Sequence, residues 1–445
     1  MAAPEPNAGF DRLYRETGWS LRRFAQEVNR LGTERGTPLR YREPSVHQWL
    51  KGHLPKEPVR PLVLEALSRR LGRPVTHLDA GFPPPSDADT GPSAATVEGL
   101  LDLGHQDMDP SRRGVLGAGL FSVALTVPGW PDVVGRMEAV QRGLASYGMP
   151  DVEMVIAMTE RISELDDQFG GRTARPMAAA FLVNTVAPYL RADAPEDICQ
   201  AMMSAASDLC YLTGYMAVDE GIHGLAQRYY LKALELAGAS GDHLTYCTTL
   251  RGMSVQAVDL GHGQEALRLG DAAAAASPKA GPRMRAFLAG QQAHASARTG
   301  DRTNALRYLR EAEVAMEKAE SQARTFGSYD PSSLLYHVSQ VRYELGDVAG
   351  SISAMKESDR LRHGVYRRAR VRHRCTLAER QLQLGHLEAA CQAWNLALDD
   401  YPHVRSGRAD DRIRTMNTRI RSYLKHPVAR ELHERARLVA PAILS

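Results

Sequence analysis

AHASARTGDRTNALRYLREA, residues Ala293–Ala312, reads as two helices joined by a tight turn. The first helix ends at Thr299, Gly300-Asp301 makes the turn, and Ala305, Leu309 and Ala312 face inward from the second. Glycine suits the left-handed conformation that stops a helix. Alanine, being small, lets the two helices approach closely. Five segments share this pattern of a glycine five residues ahead of a small residue and an apolar stripe: Gly221/Ala226, Gly261/Ala266, Gly300/Ala305, Gly346/Ser351 and Gly385/Ala390. Successive small residues lie 40, 39, 46 and 39 positions apart. A period of this length predicts stacked helical hairpins, a solenoid whose concave face holds something.

The remainder of the chain is organised around this array. At 445 residues it is too long for one ordinary core, so two or more domains are expected. An apolar content of 43% is that of a globular chain, and aromatics at 6% with abundant alanine, leucine and arginine favour helices over sheets. The expected fold class is all-α. The expected boundaries are a head over 1–82, a Pro-rich linker over 83–96, a helical connecting region over 97–195, and the repeats with a C-terminal cap over 196–445. In the connecting region, helices are predicted over Pro131–Leu144, Val152–Gln168 and Ala174–Leu190. A final pair, about Ala409–Leu424 and Pro427–Leu438, caps the array.

Residues 1–82 hold 14 Lys+Arg against nine Asp+Glu, a net +5, and the rest of the chain sums to −2. A small basic head on a near-neutral body is a footprint for a polyanion. Within the head, Ser20 caps a helix with Leu21, Phe24, Ala25, Val28 and Leu31 on one face. After a long connection, Gly32 to Arg42, the segment Pro44–Gly52 reads as a short helix. Val46, Trp49 and Leu50 form its inward stripe. Arg42, Glu43, Ser45, His47, Gln48 and Lys51 then face outward, the division needed by a helix that reads base edges. Gln48 suits adenine, Arg42 or Arg40 suits guanine, and Ser45, Lys51 and the helix N-terminus suit phosphates. A further helix, Leu62–Leu71, stops at Gly72, and Val75–Leu78 closes the bundle.

Over residues 10–80 the head resembles the lambda-repressor-like, or xenobiotic-response-element, helix-turn-helix family, with Val46, Trp49 and Gly52 at the spacing of its recognition helix. Its connection between the second and third helices is longer than the family's. The repeats resemble the tetratricopeptide family: Ala226/Tyr230/Ala233 and Ala390/Trp394/Ala397 carry its small–aromatic–alanine spacing. Gly270 departs from it by replacing the aromatic, and Ser351 by replacing the alanine. Their periods exceed the family's usual length, so longer helices are expected. The pairing of modules is similar to actinomycete regulators of development and antibiotic production and to peptide-responsive Gram-positive regulators. The resemblance implies that the first helix of each hairpin lines the groove. Counting back from the small residues gives Tyr211, Tyr215, Arg251, Asp259, His294, Arg298, Tyr336, Gln340, Tyr343 and Glu379 as its lining.

Other chemistry is not legible. No Gly-Lys phosphate loop, GxSxG elbow or HExxH is present, so no catalytic residue, metal site or cofactor is expected. Gly114, Gly117 and Gly119 have part of a nucleotide loop's spacing but no strand before them. The acidic pairs Asp166-Asp167, Asp399-Asp400 and Asp410-Asp411 read as solvated helix ends. Ser111-Arg112-Arg113 with the apolar run to Val127 mimics an export signal deep within the chain, and is expected to be a buried linking helix capped by Asp109 or Ser111. Cys199, Cys210, Cys247, Cys375 and Cys391 form no CxxC pair and read as reduced, buried thiols. The function expected is a cytoplasmic, homodimeric transcription regulator. Its partners would be double-stranded DNA and a peptide, small-molecule or protein effector, with no membrane. The alternative is an adaptor whose head is a protein-docking module.

Overall fold

Gly221, Gly261, Gly300, Gly346 and Gly385 have φ between +78° and +88°. A Cβ at Gly221, Gly300, Gly346 or Gly385 would meet nothing within 4 Å, so backbone conformation and not space selects glycine there. Two of these turns are reinforced by an aspartate cap: Asp301 accepts from Asn304 N at 3.0 Å and Asp347 from Gly350 N at 2.8 Å. The small residues that follow, Ala226, Ala266, Ala305, Ser351 and Ala390, are fully buried.

The computed structural model describes residues 7–34, 38–56, 59–73, 75–83, 94–109, 120–123, 125, 127–134, 143–276, 280–319 and 329–444. In the head these form α1 (Ala8–Thr17), α2 (Leu21–Glu34), α3 (Glu43–Leu50) and α4 (Arg60–Leu71). Next come α5 (Ala94–Met108), the single turn α6 (Trp130–Val133), α7 (Met149–Phe169), α8 (Gly171–Phe181) and α9 (Ala187–Arg191), the last two joined by a π-helical turn at Leu182–Val186. Five hairpins follow: α10/α11 (Glu196–Asp219, His223–Ser240), α12/α13 (His243–Asp259, Gly263–Ala275), α14/α15 (Pro282–Arg298, Arg302–Glu317), α16/α17 (Pro331–Glu344, Val348–Leu361) and α18/α19 (Arg367–Gln383, Leu387–Asp400). The chain ends in α20 (Gly407–Ile420), α21 (Pro427–Val439) and α22 (Pro441–Leu444). The 46-residue step of the period is explained by the connection at 318–330, the longest between hairpins. The fold is all-α, with one small addition. Gly143–Ser146 (β1) pairs in parallel with Ala192–Asp193 (β2), so the helix expected over Pro131–Leu144 is helical at Pro131–Val133 and strand by Gly143.

Packing is continuous from the connecting region into the repeats. One apolar cluster runs from Val97, Leu100 and Leu103 on α5 through Ala174 and Ala178 on α8 to the first hairpins, ending at Leu288 and Ala295 on α14. A second joins α17 to α21, with Trp394 at its centre. The head has its own, built on Phe10, Phe24, Val28, Leu31, Val46, Trp49 and Leu67. Val75, Ala80 and Phe82 close that core, but Leu78 is exposed, because Thr76–Gly81 form turns that Asp79 closes onto Thr76.

The array also closes on itself. The segment after α19 returns to the turn between α7 and α8: Arg405 N donates to Phe169 O at 2.6 Å, and Arg172 N to Arg405 O at 3.1 Å. Ser406 Oγ donates to Asp219 Oδ1 at 2.9 Å. On α18, Arg368 reaches Asp166 at 3.0 Å and Asp167 at 3.1 Å. This corrects the reading of the acidic pairs. Asp166, Asp400 and Asp410 are buried: Asp400 is held by Arg374 at 3.0 Å and Asp410 by Arg172 at 3.1 Å. Side chains of consecutive helical residues point about 100° apart, so one of each pair can turn inward while its neighbour stays nearer solvent. Burial drives the Asp166 carboxyl up, to about 8, against the pull of Arg368.

Of the linker expected over 83–96, residues 84–93 lie outside the described residues and 94–96 already belong to α5; the glycines at 114, 117 and 119 and most of the linking helix expected up to Val127 also lie outside them. Leu120–Val123, expected in that helix, form none, because their backbone groups bond elsewhere. Val123 N donates to Glu65 at 3.0 Å, Phe121 O accepts from Arg69 at 2.8 Å, and Ser122 exchanges two 2.8 Å bonds with Gln227. All five cysteines are free thiols, with four buried and Cys199 partly exposed. Among the described residues no helix is long and apolar enough to cross a membrane.

Candidate functional site

Two surfaces concentrate polar chemistry, and the Leu120–Val123 strap lies between them. The first is the outer side of α3. Val46 and Trp49 are buried in the head core, which leaves Arg40, Arg42, His47, Gln48 and Lys51 exposed and Ser45 half-exposed. Pro44 sits in the first turn, and Gly52 leaves the helix at φ +95°. Arg22, Arg40, Arg42 and Lys51 form no ion pair among the described residues, and α2 and α3 enclose a shallow groove lined by Arg22, Gln26, Tyr41, Arg42, Glu43 and Pro44. Ala25 lies at its floor, small enough for the α3 entry to pack closely.

The long connection into α3 is anchored by a residue that sequence reasoning passed over. Asn29 on α2 bonds both ways with the Tyr41 backbone: Nδ2 donates to the carbonyl and Oδ1 accepts from the amide, each at 2.8 Å. The Tyr41 ring then meets Trp49 edge-on at 5.1 Å. An asparagine on a helix carries no local sign of such a clamp, because its partner is 12 residues away.

The second surface is the inner face of the array, built from the first helix of each hairpin. Tyr211 and Tyr215 come from α10, Arg251 and Asp259 from α12, His294 from α14, and Tyr336, Gln340 and Tyr343 from α16. Their neighbours show that they converge. Arg408 on α20 holds Asp259 at 2.7 Å. Arg372 on α18 donates to Tyr336 Oη at 2.9 Å, as does Gln340 Nε2 at 2.9 Å. Tyr336 stacks on His373 with centroids 4.3 Å apart. Arg251 lies 3.8 Å above the Phe287 ring. Two of the expected lining residues are turned to ion pairs at the margin: exposed Arg298 to Glu344 at 3.1 Å, and Glu379 to Arg412 at 3.0 Å.

Arginine dominates this face, and counting back from the small residues found Arg251 but not the others. Arg368, Arg372 and Arg380 come from α18 and Arg408 from α20. The signal was present in Arg367–Arg374, with five arginines in eight residues. Both departures from the repeat pattern also find their reason. Ser351, in place of alanine, receives Arg380 Nη1 at 2.7 Å, and Ser339 Oγ receives the same nitrogen at 2.7 Å. At Gly270, in place of an aromatic, a Cβ would lie 3.6 Å from Gln292, whose side chain fills the space.

The electrostatics follow. Burial alone would raise the Tyr215 phenol, but Arg368, Arg372 and Arg408 together bring it below its ordinary value. Burial lowers Arg380 to about 10. Burial also holds His294 down at about 4, against the opposing pull of Asp259, and pushes His337 and His373 well below their ordinary value. These histidines are therefore neutral hydrogen-bonding groups at neutral pH.

The strap joins the two surfaces. Glu65, on α4 of the head and only 1% exposed, accepts from Ser122 Oγ at 2.7 Å as well as from Val123 N. The Phe121 ring stacks on His262 of the second hairpin at 4.9 Å, and Ser122 is held by Gln227 of the first. Residues 10–83 match the family described as the SP15 N-terminal domain, a match that covers the head and stops short of the array. No curated protein matches the chain.

Proposed function

We propose that the chain is a sequence-specific DNA-binding transcription regulator. Its head is a helix-turn-helix module that reads the major groove with α3, working as a homodimer on paired half-sites. Its tetratricopeptide-like array receives an effector on the inner face, and the strap passes the change to the head. The observation that carries this reading is the orientation of α3. Arg40, Arg42, His47, Gln48 and Lys51 face solvent, uncovered by the array, while Val46 and Trp49 anchor the helix. Cations without acidic partners beside Gln48 suit a surface that meets phosphates and a base edge together.

The test is recovery of genomic fragments by the full chain at near-physiological salt. Selective retention of particular fragments is expected, and Arg42→Ala with Gln48→Ala should abolish it. Retention that is weak and blind to sequence would sink the proposal and favour a protein-docking head.

A further inference from the structure

The inner face of the array carries more guanidinium charge than its acids balance. Arg368 faces three carboxyls, Asp166, Asp167 and Asp219. Asp259 is divided between Arg408 at 2.7 Å and Arg372 at 4.0 Å. Arg251 and Arg380 have no carboxylate within 4 Å among the described residues. Arg380 is 95% buried with only neutral oxygens around it, from Ser339, Ser351 and Gln340, and the Tyr343 ring 4.3 Å away. A buried cation without a counter-charge is costly to the fold and is retained where an anion completes it.

A second observation is independent of charge. Tyr230 is fully buried in contact with Tyr211, ring centroids 5.9 Å apart, and its hydroxyl has no hydrogen-bond partner among the described residues. It lies within the field of Arg251 and Arg408. His373 Nδ1, in the field of Arg372 and Arg380, is likewise buried and unpartnered. Buried polar groups in folded proteins are nearly always satisfied, so unmet ones beside unpaired cations mark where a polar guest belongs.

We propose that this inner face binds a small molecule bearing oxyanion groups, carboxylate or phosphate. Arg251, Arg372 and Arg380 are its cationic anchors, and Tyr230 and His373 are neutral hydrogen-bond partners. The planar fork of a guanidinium matches both oxyanions in two-pronged geometry. Enclosure sets the size. The return of α18 and α20 onto the start of the array leaves the Arg372 side chain 17% and Arg408 13% exposed. Side chains so little exposed can meet a compact ligand and not a folded partner. The assignment rests on the reading of the array as the effector-receiving half of a regulator.

The experiment is thermal unfolding of the full chain with pyrophosphate or citrate, against sodium chloride of equal ionic strength. A saturable rise in Tm beyond the chloride control is expected. Response to pyrophosphate alone assigns a phosphorylated ligand, and response to citrate alone a carboxylated one. Arg251→Gln and Arg380→Gln should each raise the half-saturating concentration by about tenfold or more, and Arg380→Lys should recover part of it. Arg251 is only half-buried, so its variant tests the site even if Arg380→Gln does not fold. No rise beyond chloride, or a rise that both glutamine variants leave unchanged, overturns the proposal. Fragment recovery by the unmodified chain separates the two readings. DNA selectivity with no anion response ends this inference alone. An anion response with no DNA selectivity ends the regulator reading and leaves the site standing.

Discussion

A histidine kept neutral inside an arginine-lined space gives the fold a built-in acid sensitivity. His294 is held near 4 by burial, whereas an exposed histidine titrates near 6.5. Above about 6.5 it is neutral in both folded and unfolded chains, and its contribution to stability is complete. As pH falls from about 6.5 towards about 4, the unfolded chain takes the proton first and stability is lost. In urea titrations His294→Gln should therefore flatten the pH dependence in this window by up to about 1 kcal/mol per pH unit. Equal slopes for variant and parent would refute the assignment. At this scale the sequence was partly readable. Tyr215, Asp259 and Tyr336 were found because the turn glycine fixes the register of the helix before it. Arg372 and Arg380 were not, because arginine on a helix usually marks a solvated face. Arg380 is buried by the hairpin before it, through Ser339, Gln340 and Ser351, and Arg372 reaches across to Asp259.

Among the elements, α3 and the strap behave oppositely under sequence reading. Helix α3 was legible from Pro44, the Val46–Trp49 stripe and Gly52, since capping and amphipathic spacing are local properties. The strap was not, because an apolar run such as Leu120–Val127 carries the composition of a buried helix. Its conformation is decided by partners more than 50 residues away, Glu65 and Gln227. Removing one such partner has a defined outcome. Glu65→Ala leaves Ser122 Oγ and the Val123 amide without their acceptor and takes one of three partners from Arg69, which keeps Glu34 and Phe121 O, and should cost about 3 kcal/mol. Hydrogen exchange should then rise at residues 120–123 while α10–α19 keep their protection. Unchanged exchange at the strap would show that Glu65 does not hold it. Under the regulator reading the same variant should also uncouple DNA affinity from the effector.

For the molecule as a whole, the repeats alone predict an open array in which each hairpin touches only its neighbours. Closure through Phe169, Arg405, Ser406 and Asp219 departs from that expectation, and nothing in a local repeat motif encodes it. Asp219 is the residue on which the junction turns: it accepts from Ser406 Oγ and Gly171 N and lies 3.6 Å from Arg368. Asp219→Ala should cost about 3–5 kcal/mol, and hydrogen exchange should increase together at residues 166–175 and 403–410. An increase confined to one side would mean that the two sides are not coupled. The junction has a mechanical meaning as well. A row of hairpins with two loose ends can fray or stretch like a spring, one unit at a time. A hoop has no end to start from, so strain at any hairpin is shared around the circumference, and the molecule yields all at once or not at all.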